Sequence, residues 1–312
     1  MAVFISTVNM KGGVGKTTLT VNLATSLVKN HKKRVLVVDL DAQISATLSL
    51  MPPQEFAKLR KEKRTISSLI NNQINPGEKQ LDINDVIKSY VCNLNGLDLL
   101  PGDIELYDEY LVSEMLHNQA LEENDIEFKK VWTDFERVLI KNILEPIADQ
   151  YDFIIMDCAP GYNLTTRSGL AASDFYLLPS RPEPLSIIGI QLLQRRIKQL
   201  KENHKETDPL SIKLLGIVFV LSGNTFLGRY YKQVMKRVQN DFKPTELFKH
   251  KVPMDINVAK ALDTFNPVVI SYPASAGARA FIKLTQEVLE KVEATESVKK
   301  LETTSVNLKT LD

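Results

Sequence analysis

The sequence predicts an α/β fold: a doubly wound, mostly parallel sheet with helices on both faces. Three observations carry this. Short runs rich in Val, Ile, Leu or Phe alternate with stretches of helical periodicity along the chain, the pattern of strands buried on both faces. A glycine-rich turn, Lys11-Gly-Gly-Val-Gly-Lys-Thr-Thr18, directly follows the first apolar run. Two later runs end in aspartate, at Asp39 and Asp157, where an open parallel sheet gathers its ligands.

The predicted strands are Val3–Val8, Arg34–Asp39, Leu97–Pro101, Phe153–Asp157, Phe175–Pro179, Leu214–Leu221 and Phe248–Val252. Each is too short for a helix of ordinary length. A helix is expected from the glycine turn to about Asn30, with Leu19, Val21, Leu23, Ala24 and Leu27 suited to a face packed on the sheet. Within 51–96, Pro52-Pro53, the charged run Lys58–Arg64 and Asn71-Asn72-Gln73 predict a surface excursion with one or two short helices. A second excursion, 105–150, reads as helical. Its Trp132, Phe135, Val138, Leu139, Ile143 and Leu144 fall at helical spacing and are expected in the core. One domain is expected over 1–290, with a helix end and flexible tail over 291–312.

Composition narrows the class. A chain of 312 residues with 44% apolar and 25% charged side chains supports a substantial core. The net charge of +1 means that any DNA contact needs a local basic patch. Cys92 and Cys158 lack Cys-x-x-Cys spacing, which suggests a reducing compartment. No run of eighteen or more apolar residues predicts a membrane span. Lys11 and the glycines stand where a signal peptide needs an apolar core. The expected location is the cytoplasm.

The glycine turn has the make-up of a nucleotide-phosphate loop, the mark of a P-loop NTPase. Gly12, Gly13, Val14 and Gly15 supply backbone N–H groups, Lys16 reaches the β- and γ-phosphates, and the Thr17 hydroxyl faces Mg²⁺, with Thr18 beside it. Lys11 is a cation in excess of that scheme, and Met10 stands where the plain motif has glycine. Binding alone is not chemistry, which needs a metal ion and a positioned water. Alternation points Asp39 and Asp41 to the same side of an extended chain. Asp157 closes four apolar residues, the form of a Walker B strand. Taken singly, each aspartate could instead cap the following helix.

Together these residues resemble the deviant Walker A family of ATPases, which includes ParA and MinD. The matches are Lys11–Thr18, Asp39-Leu-Asp-Ala-Gln43 and Ile154-Ile-Met-Asp-Cys-Ala-Pro160. A C-terminal region running from Val252-Pro253 through Asn257 to Ala278 is also similar. Ala42 and Ala159 stand where the family often has proline. The resemblance implies an ATP hydrolase using ATP and Mg²⁺, working as a homodimer with the nucleotides sandwiched between subunits. It implies that Lys11 reaches the partner subunit's phosphates and that Asp41 positions the attacking water. It implies that Asp39 and Asp157 lie on the magnesium side with Thr17, and that Pro253 and Asn257 lie near the adenine.

Within the family, a ParA-like, including McdA-like, positioning ATPase is expected. Such a protein binds non-specific DNA, is nucleoid-associated when ATP-bound, and is released by a ParB-like or adaptor protein that stimulates hydrolysis. Its cargo would be a plasmid, a chromosome region or a protein body such as a carboxysome. Arg195, Arg196 and Lys198 on one expected helix, and Arg229, Lys232 and Lys236 on another, are the candidate DNA contacts. The alternative is a MinD-like, membrane-recruited regulator of division or assembly. That needs a basic amphipathic C-terminal helix, and the tail has no aromatic residue and a weak apolar face. An iron–sulfur reductase is disfavoured because Cys158 follows the aspartate at the wrong offset. A tyrosine kinase is disfavoured because no tyrosine follows Tyr272.

Overall fold

Six strands form one sheet: β1 (Val3–Thr7), β2 (Val35–Leu40), β3 (Leu97–Leu100), β4 (Phe153–Cys158), β5 (Phe175–Ser180) and β6 (Lys213–Phe219). Their order is β3-β2-β4-β1-β5-β6, and every pairing is parallel. The computed structural model describes residues 1–75, 81–122, 126–206, 208–220, 236–238 and 240–309. The doubly wound α/β class is therefore the fold.

The helices, in chain order, begin with α1 (Lys16–His31), α2 (Ser45–Leu50), α3 (Pro53–Lys61), α4 (Ile66–Ile74) and α5 (Ile83–Val86). They continue with α6 (Glu109–Glu122), α7 (Phe128–Leu144), α8 (Leu164–Ala171) and α9 (Pro184–Asn203). The last are α10 (Ile256–Leu262), α11 (Val268–Ser271) and α12 (Ala276–Lys309). Two cores follow from strand alternation. Leu36, Val38, Ile154 and Met156 face one core with α4 and α6 to α9. Val35, Val37, Phe153 and Ile155 face the other with α1, α2, α3 and α10 to α12. Helix α1 is buried almost all round, because the sheet covers one side and α11 and α12 the other.

Register places the acids. Asp39 pairs with Asp157 across β2 and β4, and Thr7 pairs with Asp157 across β1 and β4. Both aspartates thus sit at the C-terminal edge, directly beside the turn that follows β1. That is where a parallel sheet presents its ligands.

Two expectations are corrected. The segment Phe248–Val252 is not a seventh strand. It makes only isolated parallel bridges, Ile217 to Leu247 and Val220 to Val252. The reason is a competing acceptor: the Lys249 and His250 amides donate to the Glu287 carboxylate at 2.8 and 3.1 Å instead of joining a ladder. The stretch 51–96 forms three short helices, α3, α4 and α5, where one or two were expected, and their inner faces are buried at Phe56, Leu59, Ile66, Leu69, Ile70 and Val86. In the second excursion Leu139, Ile143 and Leu144 are buried as expected, whereas Trp132, Phe135 and Val138 are only partly covered. The last helix runs to Lys309. Among the described residues no helix is long and apolar enough to cross a membrane.

Candidate functional site

The turn after β1 is shaped by backbone conformations that favour glycine. Gly13 has φ +68° and Gly15 φ +90°, values a side chain tolerates poorly. At Gly15 a Cβ would also meet Val220 Cγ2 at 3.0 Å. Gly15 caps α1, so the turn aims backbone N–H groups and the positive end of a sixteen-residue helix at one point. Asn9 braces the turn: its Oδ1 accepts from the Lys11 amide at 2.9 Å and its Nδ2 donates to the Pro179 carbonyl at 2.8 Å.

That point opens into a cavity of about 690 Å³, a size ordinary for a nucleotide-scale ligand. Gly12, Gly13, Gly15, Lys16, Thr17 and Thr18 line one side. Asp41, Gln43, Ser45, Pro160 and Arg181 line the rim. Val220, Val252, Val258, Leu262 and Phe265 form an apolar wall. Val14 is buried beneath the turn. The ammonium of Lys16 sits within the turn, 3.4 Å from the Lys11 carbonyl. Burial pulls its pKa below the ordinary lysine value, opposed by the nearby Asp157 and Asp41 carboxylates. It is thus a cation lacking solvent and suited to an anion.

The three acids have different surroundings. Asp157 is fully buried; Thr17 Oγ1 donates to its Oδ2 at 2.6 Å and Thr20 Oγ1 to its Oδ1 at 3.2 Å. Desolvation first, then the adjacent Asp39, push its pKa upward. Asp39 is equally buried but already engaged. Thr47 donates to its Oδ2 through amide and hydroxyl at 2.8 and 2.7 Å, and the Asp41 amide donates to its Oδ1 at 3.2 Å. Desolvation also raises its pKa, against those hydrogen bonds. Asp41 is 7% exposed and faces the cavity, with one oxygen accepting from the Gln43 amide.

A magnesium ion fits the Thr17–Asp157 end of this set. Hydroxyl and carboxylate oxygens are the hard donors Mg²⁺ takes, and it needs few from the protein when phosphates and water supply the rest. Among the described residues no cluster of three or more His, Cys, Asp or Glu side chains is arranged as an all-protein metal cage. Neither Asp39 nor Asp157 lines the cavity directly: Asp157 borders it through Thr17, while the bonds of Asp39 to Thr47 and to the Asp41 amide brace the β2–α2 turn.

The remaining expected residues divide. Lys11 does not line the cavity; its Nζ pairs with Glu183 Oε2 at 2.6 Å. Neither Pro253 nor Asn257 lines it either: Asn257 is turned to Asp255, while neighbouring Val252 and Val258 form the wall. Arg195, Arg196 and Lys198 are exposed on α9, and Lys236 is exposed. Arg229 and Lys232 lie outside the described residues. Reading the sequence missed Gln43, Ser45, Arg181, Glu183 and the apolar wall. Arg181 and Glu183 had a usable signal, since they immediately follow β5 at the same sheet edge.

Loop, helix and strand-end acids together define a P-loop phosphate site on a doubly wound sheet. An AAA domain family model matches residues 2–212. The chain is 30% identical over 289 residues to the sporulation initiation inhibitor protein Soj of Bacillus subtilis, covering 92% of this chain and 98% of Soj. This chain therefore belongs to the ParA/Soj/MinD-like P-loop ATPases. Two solved structures share the fold. The cell division ATPase MinD of Pyrococcus furiosus has a TM-score of 0.63 at 23% identity, covering 93% of this chain and 99% of that one. A plasmid partition protein of Borrelia burgdorferi bound to AMPPNP has a TM-score of 0.65 at 21% identity, covering 95% and 100%.

The raised Asp157 pKa gives a stability test. Its folded value lies above the unfolded one, so the native state holds more protons between the two. Metal-free stability should fall relative to Asp157→Asn as pH rises from the ordinary carboxylate range, by up to about 1.4 kcal/mol per pH unit. Urea melts without Mg²⁺ across that window measure it. A wild-type-minus-variant difference that stays flat would remove the buried charge as the cause.

Proposed function

We propose that this chain is a cytoplasmic, partner-stimulated Mg-ATPase that dimerises on ATP, binds DNA without sequence preference and positions a cargo. The observation that carries the hydrolase part is the convergence of Lys16, Thr17 and Asp41 on one cavity at a glycine-shaped turn, with Asp157 hydrogen-bonded to Thr17 behind it. The turn's amides and Lys16 hold the phosphates, and the apolar wall of Val252, Val258, Leu262 and Phe265 suits a purine face. Thr17 and Asp157 would hold a magnesium ion, which would supply charge neutralisation for the phosphates. Asp41 orients the attacking water and accepts its proton. Asp39 and Thr47 hold the Asp41 backbone in place. The binding of AMPPNP by the Borrelia partition protein on the same fold supports the choice of ATP.

The dimer reading rests on Lys11. Its side chain is half exposed and directed outward to Glu183, away from its own cavity. A second subunit's triphosphate is an acceptor that such a lysine can reach. The DNA reading rests on Arg195, Arg196 and Lys198, exposed together on α9, with nucleoid association when ATP is bound. The cargo is a plasmid, a chromosome region or a protein body, a reading to which the fold likeness to a plasmid partition protein lends support.

Three outcomes are expected. Asp41→Ala should keep ATP binding and lose about 10²-fold or more in turnover; turnover at the wild-type rate would remove Asp41 from the chemistry. Lys11→Ala should stay monomeric with ATP in light-scattering chromatography, and an ATP dimer of normal stability would sink the cross-subunit role. Gel shifts with random-sequence duplex should appear with ATP and weaken as salt rises, with log K falling by about 0.9 per phosphate contact per decade of salt. Absence of any shift at low salt would refute the DNA reading.

A further inference from the structure

Arg181 brings a second cation to the nucleotide cavity from a different strand exit. It follows β5 directly and lines the cavity together with the glycine turn, Lys16 and Thr17. Its backbone is firmly held. The Glu183 amide and the Ser180 hydroxyl donate to its carbonyl at 2.8 and 3.2 Å. The Ser180 carbonyl accepts from the Val220 amide at 3.0 Å. Two residues earlier, the Pro179 carbonyl accepts from Asn9, the residue that also holds the Lys11 amide. The root of this arginine is thereby fastened to the phosphate turn.

Its guanidinium is not held in the same way. Nε is buried, yet it has no hydrogen-bond partner among the described residues. Nη1 stands 3.9 Å from Glu183 Oε1, beyond hydrogen-bond reach. The other oxygen of Glu183 is taken by Lys11 at 2.6 Å. Two cations thus share one carboxylate, and the nearer one has the better claim. Asp41 lines the same cavity, but among the described residues no ion pair joins it to Arg181. The side chain is 40% exposed, so a ligand can reach it.

A buried N–H on a cation, left without an acceptor, is a cost to the ligand-free protein. An arginine that merely decorated the surface would keep its Nε in water. One that braced the fold would spend Nε on a protein oxygen. Arg181 does neither. Its charge persists at every physiological pH, and its planar fork matches phosphate oxygens two at a time. Of the groups a nucleotide presents, the phosphates are the anionic ones. Val220, Val252, Val258, Leu262 and Phe265 form the apolar side of the cavity and suit the base instead.

We propose that Arg181 is a phosphate-binding residue of this site, contacting the phosphate chain of the nucleotide in the cavity alongside Lys16. The proposal deepens the ATPase reading above and rests on it.

Full-length Arg181→Gln and Arg181→Lys are compared with wild type by calorimetric titration with Mg-ATP, by competition with Mg-tripolyphosphate, and by thermal melts without ligand. Arg181→Gln should lose about ten-fold or more in ATP affinity. It should lose a similar factor for tripolyphosphate, which has no base or sugar. Arg181→Lys should recover part of both losses through its charge. Without ligand, Arg181→Gln should melt at or above the wild-type temperature, because an unmatched buried donor has been removed. Unchanged ATP affinity in Arg181→Gln overturns the proposal and leaves the ATPase reading intact. So does a loss for ATP with none for tripolyphosphate, which moves the contact to base or sugar. A ligand-free melt lowered by several degrees makes Arg181 a brace and overturns it too. A wild-type protein that binds no Mg-ATP refutes both readings together.

Discussion

Two carboxylates buried side by side at the C-terminal edge of the sheet are the constraint on which the rest of this molecule depends. Asp39 and Asp157 are register partners, both with no exposed surface. Burying two acids in contact is costly unless each is hydrogen-bonded or balanced by a cation. The protein solves the two cases differently. Around Asp39 it supplies a threonine hydroxyl and two amides, and Gly102 lets β3's exit approach so closely that a Cβ would meet the carboxyl carbon at 3.0 Å. Around Asp157 it supplies two hydroxyls and the nearby charge of Lys16.

That division sets the architecture around the site. Helix α2 must begin where Thr47 can reach Asp39, and Thr47 in turn accepts from the Gly102 amide at 2.9 Å. Two strand exits, those of β2 and β3, are thereby tied to one side chain. Helix α1 must begin at Gly15 so that Thr17 and Thr20, one turn apart, both face Asp157. The glycine turn, Asp41 and Asp157 are held by separate local braces. Yet they share a single edge because the strands are parallel and in register.

Much of this was legible in the sequence because parallel strands are buried on both faces and read as plain apolar runs. The phosphate loop was legible because its glycines answer a backbone requirement that few other residues meet. What escaped reading was set by contacts between distant segments. Phe248–Val252 has strand composition, but Glu287, far along the chain, takes its amides. The stretch 51–96 looked like a surface because Lys58 to Arg64 are charged, although Phe56 and Leu59 between and beside them point inward. Asp39 and Asp41 differ in surroundings, because Thr47 and the Asp41 amide engage Asp39 while Asp41 lines the cavity. The apolar wall joins residues from three regions of the chain, and no local pattern announces it.

The Lys11–Glu183 pair shows why so exposed a contact suits a switch. Both partners are a third to a half exposed, and ion pairs of that kind are worth about 0–1 kcal/mol. A triphosphate presents several negative charges in one place and would outcompete a lone carboxylate for the lysine. The lysine is therefore held by a bond that is cheap to break. Glu183 is also the residue preceding α9, whose later turns carry Arg195 and Arg196 and meet Tyr162. Moving Lys11 off Glu183 frees the start of that helix, and moving Tyr162 disturbs its middle. One helix thus borders Lys11 through Glu183, carries the exposed basic face and meets the β4 exit through Tyr162.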